Sequence, residues 1–148
     1  MNRVVTVVLS RARARFFDVR PDITDELTCL HSPETRGGKF HSERANAPGR
    51  GEHAYHARLR EEQRRHLAAV VARLTLLADA DPTLELVLAG PQKLTTAMEN
   101  VLTAELRARV IGTLRVDAKR TTAASIARQT RQLQESWTAF VETADGVR

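Results

Sequence analysis

The sequence predicts an α/β fold in which helices cover the faces of a mixed five-stranded sheet. Residues 3–10 and 84–89 form two apolar runs of strand length, which is typical of strands buried on both faces. Two shorter runs, at residues 14–20 and 27–31, follow the first one closely. Helical spacing of apolar residues then occurs three times. The predicted element order is β-β-β-α-β-α-β-α, within a single domain covering residues 1–148.

The first three predicted strands form an antiparallel meander. Residues 3–10 are rich in β-branched side chains, residues 14–20 end at Pro21, and residues 27–31 end before Pro33. Cys29 is the only cysteine, so it cannot form an internal disulfide. Because it falls within the third run, we expect a buried, reduced thiol, as suits the cytoplasm.

The first helix is predicted to begin near residues 51–53 and to end by residues 79–81, before Pro82. Its apolar residues recur three and four positions apart, and charged residues fill the other side. The first half is mostly charged and the second half mostly apolar. We therefore expect the N-terminal turns to project past the core.

The remaining elements alternate between strand and helix. The fourth strand, residues 84–89, is followed by Gly90-Pro91, which begins a second helix. Its apolar stripe consists of Leu94, Met98, Val101, Leu102 and Leu106. Residues 110–117 form a fifth strand at the sheet edge. Thr121 or Thr122 caps a third helix, whose predicted inward face consists of Ile126, Leu133, Trp137, Phe140 and Val141.

Two crossover connections in this element order predict the spatial strand order 3-2-1-4-5. The two most apolar strands are then in the middle of the sheet. A sheet of this order also occurs in ribonuclease-H-like nucleases and in small ribosomal proteins. The nucleases need clustered carboxylates to hold metal ions, and residues 3–10 contain no acid.

The composition points to an anionic partner. The formal net charge is +5 and the sequence pI is near 10.3, mostly because of arginine. A guanidinium group matches phosphate oxygens as well as carboxylates, so both RNA and an acidic protein surface are candidate partners. The first apolar run is too short for a signal sequence or a membrane span, so we expect no membrane association.

A long basic, glycine-rich loop is predicted at residues 33–52, before the first helix. Gly37 and Gly38 lie between Arg36 and Lys39, which would allow close approach to a phosphate backbone. The alternative is an ordinary surface turn. The predicted RNA contacts of the loop and helix are Arg36, Lys39, Arg44, Arg50, Arg58, Arg60, Arg64 and Arg65.

Metal, cofactor and nucleophile sites have little support in the sequence. His53, His56 and His66 lack the further ligands that a zinc site needs, so we expect exposed polar groups or contacts to a polyanion. No phosphate-binding loop, dinucleotide fingerprint or nucleophile elbow is present, so no cofactor is expected.

The chain resembles the middle domain of the archaeal and eukaryotic class I peptide-release factors and their Pelota relatives. It is most similar to a compact bacterial branch of that superfamily, which includes proteins named for attachment to host cells. The resemblance covers residues 4–133. It rests on Arg36-Gly37-Gly38 before the basic helix, on Leu-Val-Leu-Ala-Gly at residues 86–90, and on Val116-Asp117.

In that family, a Gly-Gly-Gln tripeptide at the loop tip enters the ribosomal peptidyl-transferase centre and helps water attack peptidyl-tRNA. The matching candidate catalytic loop here is Gly37-Gly38-Lys39, and a lysine ammonium offers no acceptor. The resemblance therefore favours a ribosome- or RNA-associated translation-related factor, as in the Pelota branch. A peptidyl-tRNA ester hydrolase, and a protein-interaction module or homo-oligomer, are the alternatives.

Overall fold

The computed structural model describes residues 2–33 and 50–146, and within these ranges the chain forms six strands and four helices. In chain order these are β1 (Val4–Leu9), β2 (Arg13–Val19), β3 (Thr24–Glu26), β4 (Leu30–His31), α1 (Arg50–Ala80), β5 (Glu85–Gly90), α2 (Gln92–Val101), α3 (Ala104–Arg109), β6 (Val110–Arg115) and α4 (Ala123–Gly146). The predicted α/β class is confirmed, with one more strand and one more helix than expected.

The centre of the sheet is β1, and the strand order is β3-β2-β1-β5-β6, with β4 also pairing with β2. β1 runs antiparallel to β2, with Val4 opposite Val19, and parallel to β5, with Val4 opposite Glu85. All six residues of β1 are buried, as expected of a strand covered on both faces. Since β5 and β6 are the fourth and fifth predicted strands, the predicted order is confirmed.

Helices cover both faces of this sheet. Alternate side chains of β1 enter different layers: Leu9 packs in the cluster that includes the buried side of α1, and Val8 packs with Ile126 of α4. A polar contact also joins β1 to α4, because the hydroxyl oxygens of Thr6 and Thr130 are 2.7 Å apart and both residues are fully buried. α1, α2 and α3 share the first layer with Leu9.

The predicted third strand, at residues 27–31, is wrong in its extent. β3 and β4 instead pair with β2 on either side of residues 27–29, with Glu26 opposite Phe17 and Leu30 opposite Ala14. Cys29 lies between the two strands and is exposed, so the expected buried thiol is wrong as well. An edge strand needs only backbone pairing on one side, which allows the polar Thr-Asp-Glu sequence of β3.

The predicted second helix is divided in two. Leu102 has an extended backbone, with φ −66° and ψ 143°, and ends α2. The Thr103 hydroxyl then accepts a hydrogen bond from the Leu106 backbone N–H at 3.2 Å, which caps the new helix α3. Leu102 and Leu106 are buried as expected, but Val101 is exposed because the break turns the chain.

α4 begins where the sequence predicts, because the Thr122 hydroxyl accepts a hydrogen bond from the Ser125 N–H at 3.1 Å. Its predicted inward face is wrong at the far end. Phe140 is 64% exposed and Val141 is 37% exposed. A helix of 24 residues is about 36 Å long and a six-residue strand about 20 Å, so the last turns pass beyond the sheet.

Candidate nucleic-acid interface

The first half of α1 projects from the core, as the sequence predicts. The helix has 31 residues, and the first fully buried residue in its described part is His66. Leu67, Val70 and Leu74 follow at helical spacing and hold the second half against the sheet. The preceding turns therefore carry side chains that a partner could reach.

Four predicted RNA contacts lie on these projecting turns. Arg58, Arg60, Arg64 and Arg65 are all exposed, and the side chains of the last two are 71% and 75% exposed. Arg60 and Arg64 are four residues apart and so lie on one side of the helix, and Arg58 and Arg65 are seven apart on another. Two rows of guanidinium groups therefore run along the exposed surface.

Glu61 lies between the two rows and partly neutralises them. Its carboxylate accepts hydrogen bonds from Arg64 Nε and Nη2, at 3.0 and 2.6 Å, and from Arg65 Nε at 3.1 Å. The hydrogen bond with Arg64 holds the pKa of Glu61 below its usual value and raises that of Arg64. Residues 58–65 contain four arginines and two glutamates, so the segment keeps a charge of +2.

Several predicted contacts cannot be placed on this surface. Arg36, Gly37, Gly38, Lys39 and Arg44 lie outside the described residues, so the candidate loop stays a prediction. Arg50 begins α1, but its side chain is also outside the described part of the structure. The described chain ends at Pro33 before this segment and resumes at the first turn of the basic helix.

Ser32, near the end of the first described range, is joined to α1 through His66. The Ser32 hydroxyl is 2.6 Å from His66 Nδ1, and His66 Nε2 is 3.2 Å from the Arg13 carbonyl oxygen. Burial lowers the pKa of His66, which favours a neutral imidazole. In that form Nε2–H donates to the carbonyl and Nδ1 accepts from Ser32. His66 thus joins the chain before the loop to the middle of α1.

His66 corrects one sequence expectation, since it is 1% exposed and not a surface contact. Its position four residues before Val70 and seven after Leu59 places it on the apolar stripe of α1, which is the signal that could have shown its burial. His53 and His56 are exposed as expected. Within residues 2–33 and 50–146, no group of three or more His, Cys, Asp or Glu side chains could hold a metal ion.

A second basic feature, missed in the sequence, lies at the carboxyl end of β1. Arg11, Arg13, Arg15 and Lys119 line a cleft of about 820 Å³. The alternating Arg-Ala-Arg-Ala-Arg sequence of residues 11–15 is the signal that could have found it, because alternate residues of a strand lie on one face. Arg11 also lines a smaller hollow of about 260 Å³ together with Leu59, Glu62 and Gln63, so this feature lies beside the projecting turns of α1.

The end of β5 approaches this end of β1 closely. Gly90 has φ +140°, and a Cβ atom there would lie 2.7 Å from the Leu9 carbonyl oxygen. Only glycine combines that backbone conformation with that approach. Among the described helices, none combines the length and the apolar composition that a bilayer crossing needs.

A family model identifies the family of the chain, and solved structures share its fold. The model of the family described as bacterial archaeo-eukaryotic release factor family 10 matches residues 1–135. No curated protein matches the sequence.

Two solved structures share the fold across nearly the whole chain. An archaeal translation termination factor matches with a TM-score of 0.52 and 12% identity, over 98% of this chain and 42% of its own. Pelota of Archaeoglobus fulgidus matches with a TM-score of 0.59 and 12% identity, over 97% of this chain and 35% of its own. The chain thus spans less than half the length of either protein, and the likeness at this identity is one of fold.

Proposed function

Because the chain belongs to the bacterial archaeo-eukaryotic release factor family, we propose that it is a translation-related factor that binds the ribosome or structured RNA. The contacts are made by Arg58, Arg60, Arg64 and Arg65 of α1. The contacts predicted from the sequence at Arg36, Lys39, Arg44 and Arg50 are part of the same proposal. A ribosomal partner implies a cytoplasmic location.

The observation that carries this proposal is the exposed, projecting half of α1. Helices of globular proteins owe most of their stability to the burial of one face, yet the described turns before His66 bury no residue completely. Four arginines occupy eight residues of that segment. Guanidinium groups spaced along a rigid helix present repeated donor forks to phosphate oxygens.

The fold comparison supports the same partner. A solved structure that shares the fold is described as a translation termination factor. That description concerns the archaeal protein. For the present chain we propose only an association with translation, and not the termination reaction. The position that corresponds to glutamine in the family tripeptide is Lys39, so binding is proposed without hydrolysis.

Co-sedimentation with purified ribosomes over a range of salt concentrations tests the proposal. Each neutralised phosphate contributes a slope of about −0.7 to −0.9 to the plot of log affinity against log salt. The four contacts of α1 alone predict a loss of about 50- to 150-fold between about 50 and 200 mM salt, and each further contact from the preceding segment steepens the slope. The double variant Arg58→Glu/Arg60→Glu should bind more weakly at every salt concentration, and its slope should be flatter by about 1.4 to 1.8 because two contacts are lost.

The matched control is Lys93→Glu/Arg128→Glu, which makes the same change in net charge at exposed residues of α2 and α4. It should keep the wild-type slope. Equal effects of both double variants would contradict a localised interface. Binding that survives nuclease treatment and that follows protein concentration would instead indicate a protein partner or a homo-oligomer.

A further inference from the structure

The cleft at the carboxyl end of β1 lies where ligands bind in related sheet architectures. β1 and β5 are neighbours in the sheet. The chain leaving β1 continues into β2, which lies beyond β1, whereas the chain leaving β5 continues into β6, which lies beyond β5 in the opposite direction. In open α/β sheets, ligands bind outside the carboxyl ends of the strands at such a reversal of direction. The cleft is formed there by the turn after β1, the end of β4 and the turn after β6.

The lining of this cleft carries one sign of charge. Of the ten residues that line it in the described part of the chain, four are cationic and none is acidic. The cations come from different parts of the sequence, and His31 and two serines add polar groups. The cationic residues are Arg11, Arg13, Arg15 and Lys119. Positive groups converging on a concave surface favour an anionic ligand.

The cations that line the cleft differ in whether a carboxylate neutralises them. Arg15 donates to Glu26 through Nε and Nη2, at 3.0 and 3.2 Å, and its guanidinium stacks on the Phe17 ring at 4.9 Å. The hydrogen bond with Glu26 raises the pKa of Arg15. Arg15 is therefore a neutralised, structural part of the wall. The backbone N–H of Lys119 donates to Asp117 Oδ1 at 3.0 Å. Its ammonium group has no carboxylate partner in the described part of the chain, so its charge is available.

Arg13 is held in place by a histidine ring and not by a carboxylate. Its Nε donates to His31 Nε2, and the register of β2 with β4 places the two residues opposite each other. This contact orients the guanidinium and involves no carboxylate that would cancel its charge. The two Nη nitrogens then form the fork that contacts a phosphate through two hydrogen bonds.

The geometry points to a phosphate-binding site in this cleft for a nucleoside phosphate, either free or at the end of an RNA chain. Arg13 and Lys119, which line the same cleft, contact the phosphate. The volume of about 820 Å³ exceeds the needs of a phosphate alone and falls within the range of small-molecule sites, which suits an attached nucleoside. The donors are side chains, so no glycine-rich phosphate loop is required.

Isothermal titration of the whole protein with adenosine 5′-monophosphate and with adenosine tests this site. We expect the nucleotide to bind and the nucleoside not to bind. Lys119→Ala should weaken binding about tenfold or more, because a hydrogen bond to a charged group is lost. Arg13→Ala should do the same, with thermal unfolding used to show that the β2–β4 pairing persists. The matched control, Lys93→Ala, should bind like the wild type.

Short RNA oligonucleotides with a 5′-phosphate or a 5′-hydroxyl distinguish the two sources of the ligand. A preference for the phosphorylated end that Lys119→Ala removes would identify an RNA terminus. Binding of the mononucleotide with no such preference would identify a free nucleotide. The inference is overturned if neither phosphate compound binds, or if Lys119→Ala binds both as tightly as Lys93→Ala. The α1 variants should leave this binding unchanged, so the site is tested separately from the ribosome proposal.

Discussion

Replacing Gly90 by alanine should destabilise the protein more than any ordinary surface substitution. The new Cβ would lie 2.7 Å from the Leu9 carbonyl oxygen, a distance that real Cβ atoms essentially never show. The obstacle is backbone at the centre of the sheet, so it cannot turn aside as a side chain can. The φ of +140° adds strain of about 1–3 kcal/mol. Together these effects predict a loss of about 2–4 kcal/mol in the free energy of unfolding.

Gly112→Ala is the matched comparison. Its Cβ would meet Leu133 Cδ2 at 2.8 Å, but this methyl group is the end of a flexible side chain on α4. We expect a loss of under about 1.5 kcal/mol there. Urea unfolding gives the free energies, and a melting temperature lower by roughly 4–16 °C is expected for Gly90→Ala. A loss for Gly90→Ala no larger than that for Gly112→Ala would refute the argument from backbone approach.

Three further predictions concern other parts of the chain. Burial lowers the pKa of His66, so the unfolded chain binds a proton more readily than the folded chain does. The stabilisation from neutral His66 is therefore complete above the ordinary pKa of 6.5 and is lost as the pH falls below it. His66→Gln should therefore flatten the dependence of unfolding free energy on pH between about 7 and 5, whereas His56→Gln should not. Thr130→Val should cost about 1–3 kcal/mol in urea unfolding, since the buried Thr6 hydroxyl loses its partner, and Thr6→Val/Thr130→Val should cost less than the two single changes added. Lys39→Gln should raise the hydrolysis of peptidyl-tRNA in a ribosomal release assay if the loop is otherwise competent, and no turnover in either form would exclude hydrolysis by this loop.

The sheet could be predicted because its signals are local and strong. The continuous apolar run of β1 and that of β5 indicated strands covered on both faces, and these are the central pair. The strand order followed from the element order and from the rules for crossover connections. Elements that depend on backbone pairing alone, such as β3, carry no comparable apolar signal.

The candidate functional site could also be predicted only in part. The projecting half of α1 could be predicted, because its charged composition is continuous along the chain. The cleft at the end of β1 could be predicted only in part. The alternating arginines of residues 11–15 are a local signal, but His31 and Lys119 are far from them in sequence and reach the cleft only in the folded chain. Glu61 was also visible in the sequence, but its simultaneous contact with Arg64 and Arg65 depends on side-chain geometry.

The contact between Ser32 and His66 sets a minimum length for the segment that connects Ser32 to α1. Arg50 lies sixteen residues before His66 on the helix, which corresponds to about 24 Å of helical rise. The eighteen peptide units from Ser32 to Arg50 have a fully extended length of about 60 Å. The connection is therefore more than twice as long as the gap it bridges. A connection of about eight residues would be long enough to cover the same distance, so a shortened variant is expected to keep the contact between Ser32 and His66.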